Sequence, residues 1–149
     1  MRFRPVLDLD ESDRRRLYTT KNVSQWLYEA DGRSRLDFKA DLRAFLKRFV
    51  VGAPMENGAD FKKANPKGKA IWAMRIRFRP QVRMFGGFAD MDIFVCLLWR
   101  MRDKLEKGKG PKWDAAVAKT AKRWDEMFPG LTRRDCVKLS HCLSESVYD

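Results

Sequence analysis

The sequence predicts an α+β domain: a helical pair packed on a small antiparallel β-meander sheet, followed by a C-terminal helix. Three observations carry this expectation. Residues 71–78 alternate, with Trp72, Met74, Ile76 and Phe78 on one side and Ala73, Arg75 and Arg77 on the other. Phe38, Leu42, Phe45, Leu46 and Phe49 recur at helical spacing. Trp113, Val117, Trp124 and Phe128 repeat that spacing behind Pro111, a residue suited to the first turn of a helix.

Taken in order, either 6–9 or 16–19 is expected to begin the sheet. A helix follows over about 23–30, with Trp26 and Leu27 apolar, and Asp31-Gly32 breaks it. A second helix starts near Ser34, a suitable N-cap, and ends at Gly52 and Pro54. Residues 52–69, rich in Gly, Pro, Asn and Lys, read as loop. Then come strands at 71–78, 82–88 and 93–99, separated by turns at Pro80-Gln81 and at 89–92. The middle strand puts Arg83 and Phe85 on one face and Val82 and Met84 on the other. The last strand is apolar enough to be central. Residues 107–111 form a basic linker, the last strong helix spans about 111–128, and Pro129-Gly130 stops it. A short final helix is expected over 136–143. The predicted single domain covers 1–128, with 1–15 as an N-terminal extension. Residues 129–149 form a C-terminal extension, either a short helix or a flexible tail.

A chain of 149 residues is long enough for one domain with a real core. It contains no long apolar run, and the basic N-terminus leads into Asp8, Asp10, Glu11 and Asp13, so neither a membrane span nor a secretory leader is expected. The expected location is cytoplasmic. Cys96, Cys136 and Cys142 form no CxxC pair and suggest neither a disulfide framework nor a zinc site. His141 is the single histidine, which excludes a histidine pair within one chain. No metal and no cofactor are called for.

The net charge of +12 points to a polyanionic partner. Its distribution sharpens the point, because no acidic residue occurs from 61 to 89, while that stretch carries Lys62, Lys63, Lys67, Lys69, Arg75, Arg77, Arg79 and Arg83. Alternation puts Arg75 and Arg77 on one strand face, Arg83 lies across the hairpin, and Arg100, Arg102 and Lys104 follow the third strand. Guanidinium groups bind phosphate bidentately and repel one another unless an anion lies between them. One or two are expected to pair with carboxylates from the helices, leaving the others for a nucleic-acid backbone.

These residues carry a resemblance. Phe61-Lys62-Lys63, then Ile71-Trp72-Ala73-Met74-Arg75-Ile76, then Val82-Arg83-Met84-Phe85, then the run from Phe94 to Arg100, resemble the core of the RelE/HigB/ParE toxin superfamily. Pro111 and the alanine-rich helix behind it are similar to its phage-derived HigB-like branch. The resemblance spans roughly residues 16–128. It implies a toxin of a type II toxin–antitoxin system, acting as a ribosome-dependent, metal-independent mRNA endonuclease. It also implies two partners, a cognate antitoxin and mRNA on the ribosome. Arg75, Arg83, Arg100 and Arg102 fall where that family places catalytic, phosphate-stabilising cations. Lys62, Lys63, Lys67, Lys69, Arg77, Arg79 and Lys104 would bind nucleic acid. Two features depart from the nuclease pattern. Ala73 and Arg75 stand where a lysine base is common, and arginine is a poor base. No tyrosine or histidine follows the third strand closely, so only His141 and Tyr148 in the tail are available. The alternatives are a non-enzymatic, ParE-like inhibitor of DNA gyrase, and a phage or plasmid basic nucleic-acid-binding protein.

Overall fold

A computed structural model describes residues 4–5, 13–29, 38–64, 70–105 and 110–149. The order of elements is β1 (Arg4–Pro5), β2 (Arg16–Thr19), α1 (Lys21–Tyr28), α2 (Phe38–Val50), β3 (Met55–Glu56), β4 (Phe61–Lys63), β5 (Trp72–Ile76), β6 (Val82–Asp90), β7 (Ile93–Met101), α3 (Pro111–Met127) and β8 (Val147–Tyr148). This is the expected α+β arrangement of two N-terminal helices, a meander and a C-terminal helix. The strand suggested at 6–9, the Ser34 cap and the linker residues 107–109 lie outside the described residues.

The sheet differs from a pure meander. Its order is β1-β2-β7-β6-β5-β4. Strands β4 to β7 are antiparallel neighbours, but β2 runs parallel to β7, with Leu17 opposite Phe94. The helical pair is the crossover that allows this: the chain leaves β2, covers one face through α1 and α2, and returns at the far edge. Thr20 caps α1, its hydroxyl accepting from the Val23 backbone N–H at 3.3 Å.

Residues 52–69 are not all loop. Phe61 opens β4, which pairs with β5 in the register Phe61 to Met74. Three residues are too few to show alternation, so burial identifies the strand. The Phe61 ring lies fully inside, 5.6 Å from Phe49 and 5.3 Å from Phe94. Strand β3 pairs with β8 in a separate two-stranded sheet.

The sheet is covered on both faces. Trp72, Met74, Ile76, Val82, Met84, Phe88, Phe94 and Cys96 meet α1, α2 and the C-terminal segment. On the other face Ala73, Phe85 and Leu98 meet Trp113, Ala116 and Val117 of α3, while Val95 and Leu97 meet Trp124. A bulge reconciles the adjacent Leu97 and Leu98 with a single face. Phe85 pairs with Leu98 but Gly86 pairs with Cys96, so Leu97 is the extra residue.

The expected helix over 136–143 is a single 3-10 turn, Leu139–His141. A disulfide joins Cys136 to Cys142, with 6.0 Å between their Cα atoms, which corrects the expectation of no disulfide. The turn between the two cysteines closes the distance, which spacing alone does not reveal. Both cysteines, Leu139 and Leu143 belong to the larger core. Arg15 fastens this segment from inside: its guanidinium donates to the carbonyls of Ala53 at 2.7 Å and Glu145 at 2.8 Å. No described helix is long and apolar enough to cross a membrane.

Candidate functional site: an arginine row across three strands

Strand register brings the arginines together. Arg75 on β5 lies opposite Arg83 on β6, and Arg83 lies opposite Arg100 on β7. The three form a lateral row on the face that carries α3, one pleat beyond the layer of Ala73, Phe85 and Leu98. The β7 bulge makes the alignment: without its extra residue, β7 would present the opposite face to Arg83.

The members differ in environment. Arg83 is only 3% exposed. Its guanidinium donates to the carbonyls of Val82 at 3.2 Å and Ile76 at 3.4 Å, and to the Gln81 side-chain oxygen at 3.4 Å. These are long bonds for a buried cation. Burial first, then the positive fields of Arg75, Arg102 and Arg77, pull its pKa down to about 10. Arg83 therefore stays charged at neutral pH, at a cost that a bound anion would relieve. Arg75 is half-buried and donates to the Gly58 carbonyl. Arg100 is also half-buried and donates to the Trp99 carbonyl at 2.8 Å; burial and the nearby Arg123 lower its pKa.

Arg77 is exposed and meets Asp60 at 3.8 Å, so it is the arginine of this group that finds a carboxylate. Among the described residues, no ion pair involves Arg75, Arg83, Arg100 or Arg102. The arginine row does not stand on an open sheet surface. Helix α3 covers part of that face, and Arg83 is buried within it because it sits on the middle strand of the three.

The remaining candidates scatter. Arg79 is exposed in the turn before Pro80, and Arg102 is half-buried just after β7. The Arg102 backbone N–H donates to the Gln81 carbonyl at 2.9 Å, tying the two segments together at this end of the sheet. Lys104 is exposed in the 3-10 turn Arg102–Lys104. Lys62 is exposed on edge strand β4, whereas Lys63 is occupied by Asp135 at 2.9 Å. Lys67 and Lys69 lie outside the described residues.

Arg123 was missed by sequence reasoning. It projects from α3, donates to the Leu97 carbonyl at 2.7 Å and adds positive charge beside Arg100. Its one sequence signal is a basic position flanking the apolar stripe of α3, which is ordinary for a solvated helix face.

His141 and Tyr148 separate. Arg134 donates its backbone N–H to Phe88 and its side chain to the His141 carbonyl, which holds His141 at the end of β6 opposite Arg83. Tyr148 pairs with Glu56, two residues before Gly58, whose carbonyl Arg75 reaches. Comparison with known proteins finds no matching family model, and neither a curated protein nor a solved structure that matches the chain significantly.

Proposed function

We propose that the arginine row binds the phosphate backbone of RNA, and that the chain is a toxin of a toxin–antitoxin pair that cleaves mRNA on the ribosome. The observation that carries the reading is the registered set Arg75, Arg83 and Arg100, held without a carboxylate partner among the described residues and with its middle member buried. A buried cation is stabilised by an anion that brings its own hydrogen-bond acceptors, as a phosphodiester does. The order of helical pair, meander and C-terminal helix supports the resemblance to RelE-, HigB- and ParE-like toxins.

In such a reaction a ribose 2′-hydroxyl attacks the neighbouring phosphorus, and the bond to the 5′-oxygen of the next nucleotide breaks. The row would stabilise the charge of the phosphorane, which is larger than that of the diester it replaces. Arg102 and Arg77 extend the positive field along the strand. A cognate antitoxin would neutralise the row with an acidic segment.

The row itself holds no residue that accepts a proton at neutral pH. That observation favours a second reading, in which the same surface binds without cutting: a nucleic acid in a basic binding protein, or DNA gyrase in a ParE-like inhibitor. Primer extension on an abundant transcript, after induction in cells, decides between them. Cleavage by the wild type that is lost in Arg83→Leu supports the nuclease. Translation arrest absent and transcripts intact, with RNA affinity retained in vitro, support the binding protein. Cleavage undiminished in both Arg83→Leu and Arg102→Ala would remove the row from the mechanism.

A further inference from the structure

Beside the row, the turn before β6 and the chain after β7 enclose a cleft lined by Arg79, Pro80, Gln81, Met101, Arg102 and Asp103. We infer that this cleft is a nucleobase subsite that selects guanine in the RNA whose phosphates the row holds. The inference rests on the RNA reading and adds a ligand class and a selectivity to it.

The cleft has the parts that a base needs. Pro80 and Met101 supply apolar walls, and the guanidinium planes of Arg79 and Arg102 are surfaces on which a base stacks. Its polar groups set the choice of base. Arg83 donates to the Gln81 side-chain oxygen. A guanidinium is donor-only, so that contact fixes which end of the Gln81 amide is oxygen and leaves the NH2 as its free donor. Asp103 is exposed, and an ionised carboxylate is acceptor-only. The cleft thus offers an amide donor and a carboxylate acceptor. Guanine presents the complement on one edge: the N1–H and N2–H2 donors for a carboxylate, and the O6 acceptor for an amide N–H. Adenine and cytosine lack that pair of donors, and uracil, which presents N3–H beside O4, lacks the second donor that N2–H2 supplies.

The subsite is also coupled to the row. Gln81 touches Arg83 through its side chain and Arg102 through its backbone carbonyl. A nucleotide whose phosphate lies on Arg83 and Arg102 would have its base beside this cleft.

The test is titration of the full chain with GMP, AMP, CMP and UMP, followed by intrinsic tryptophan fluorescence or calorimetry. GMP should bind about tenfold more tightly than the other three, the discrimination expected of a bidentate base contact. Asp103→Asn replaces one acceptor oxygen by a donor and should lower GMP affinity about tenfold, erasing the preference. Asp103 is exposed, so this variant keeps the fold. Equal affinity for the four nucleotides, no nucleotide binding, or a preference that survives Asp103→Asn would each overturn the guanine subsite. The RNA reading is judged separately, by salt-dependent binding of a guanine-free RNA. If that binding persists in the wild type and is lost in Arg83→Leu, the row stands even where the subsite falls.

Discussion

Arg83 concentrates the conflict between stability and binding. It is a cation in the middle of a sheet, hydrogen-bonded only at 3.2–3.4 Å, with Arg75, Arg77 and Arg102 adding positive field. Replacing it with a well-packed apolar residue removes the desolvation cost. Arg83→Leu should therefore raise stability by about 1–2 kcal/mol, read from denaturant unfolding, while weakening RNA binding. A variant less stable than wild type would show that the bonds to Ile76 and Gln81 outweigh the burial cost. The pH dependence has a definite sign. The folded pKa is depressed to about 10, below its ordinary value, so below pH 10 the group is charged in both folded and unfolded states and its burial cost is fully present. That cost fades as pH rises from about 10 toward the ordinary value, because the folded state releases its proton first. Anion affinity runs the opposite way and falls above pH 10. The affinity gap between wild type and Arg83→Leu should then close over that range, and a gap that stays constant would count against Arg83 as the anion's ligand.

Among the elements, β6 and β7 hold the site in register. A Cβ at Gly86 would lie 1.9 Å from the Val95 carbonyl oxygen, beside the bulge that accommodates Leu97. Backbone atoms in a paired strand have little room to yield. Gly86→Ala should cost about 3 kcal/mol or more and disturb the Arg83 to Arg100 pairing. Gly87 is the control. Its nearest neighbours are the Arg133 side-chain carbons at 3.0 and 3.2 Å, and that flexible side chain can move aside. Gly87→Ala should cost under about 1 kcal/mol. Urea unfolding of the two variants compares them directly, and equal losses would show that the close approach at Gly86 is not what sets its identity. Strand β4 carries a different lesson. The loop-like composition of 52–69 hid it, because a three-residue edge strand is specified by the burial of Phe61 rather than by its own pattern.

The whole molecule is a sheet with a helix layer on each face, and residues 131–149 complete one layer by packing Cys136, Leu139, Cys142 and Leu143 into the core. The Cys136–Cys142 bridge closes a short loop, so reduction should cost about 2 kcal/mol. The bridge lies in the layer opposite α3, away from the arginine row, so a reducing agent should lower the melting temperature without changing RNA affinity. A parallel loss of affinity would tie this segment to the site. The sequence alone determined the features that local chemistry encodes. The alternation of 71–78 assigned Trp72, Met74 and Ile76 to the core and Arg75 to the other face. The phenylalanine stripe marked α2, the tryptophan stripe marked α3, and the acid-free interval located the cations. Each depends on neighbours within a few residues, where pleat and helical turn set the period. Only the tertiary structure decided that β2 runs parallel to β7, that Arg100 comes into register with Arg83 and Arg75, that Arg123 joins them from α3, and that Arg83 is buried. These depend on register between segments far apart in the chain. One extra residue, Leu97, turns the end of β7 over, and no periodicity in either strand records how the other meets it.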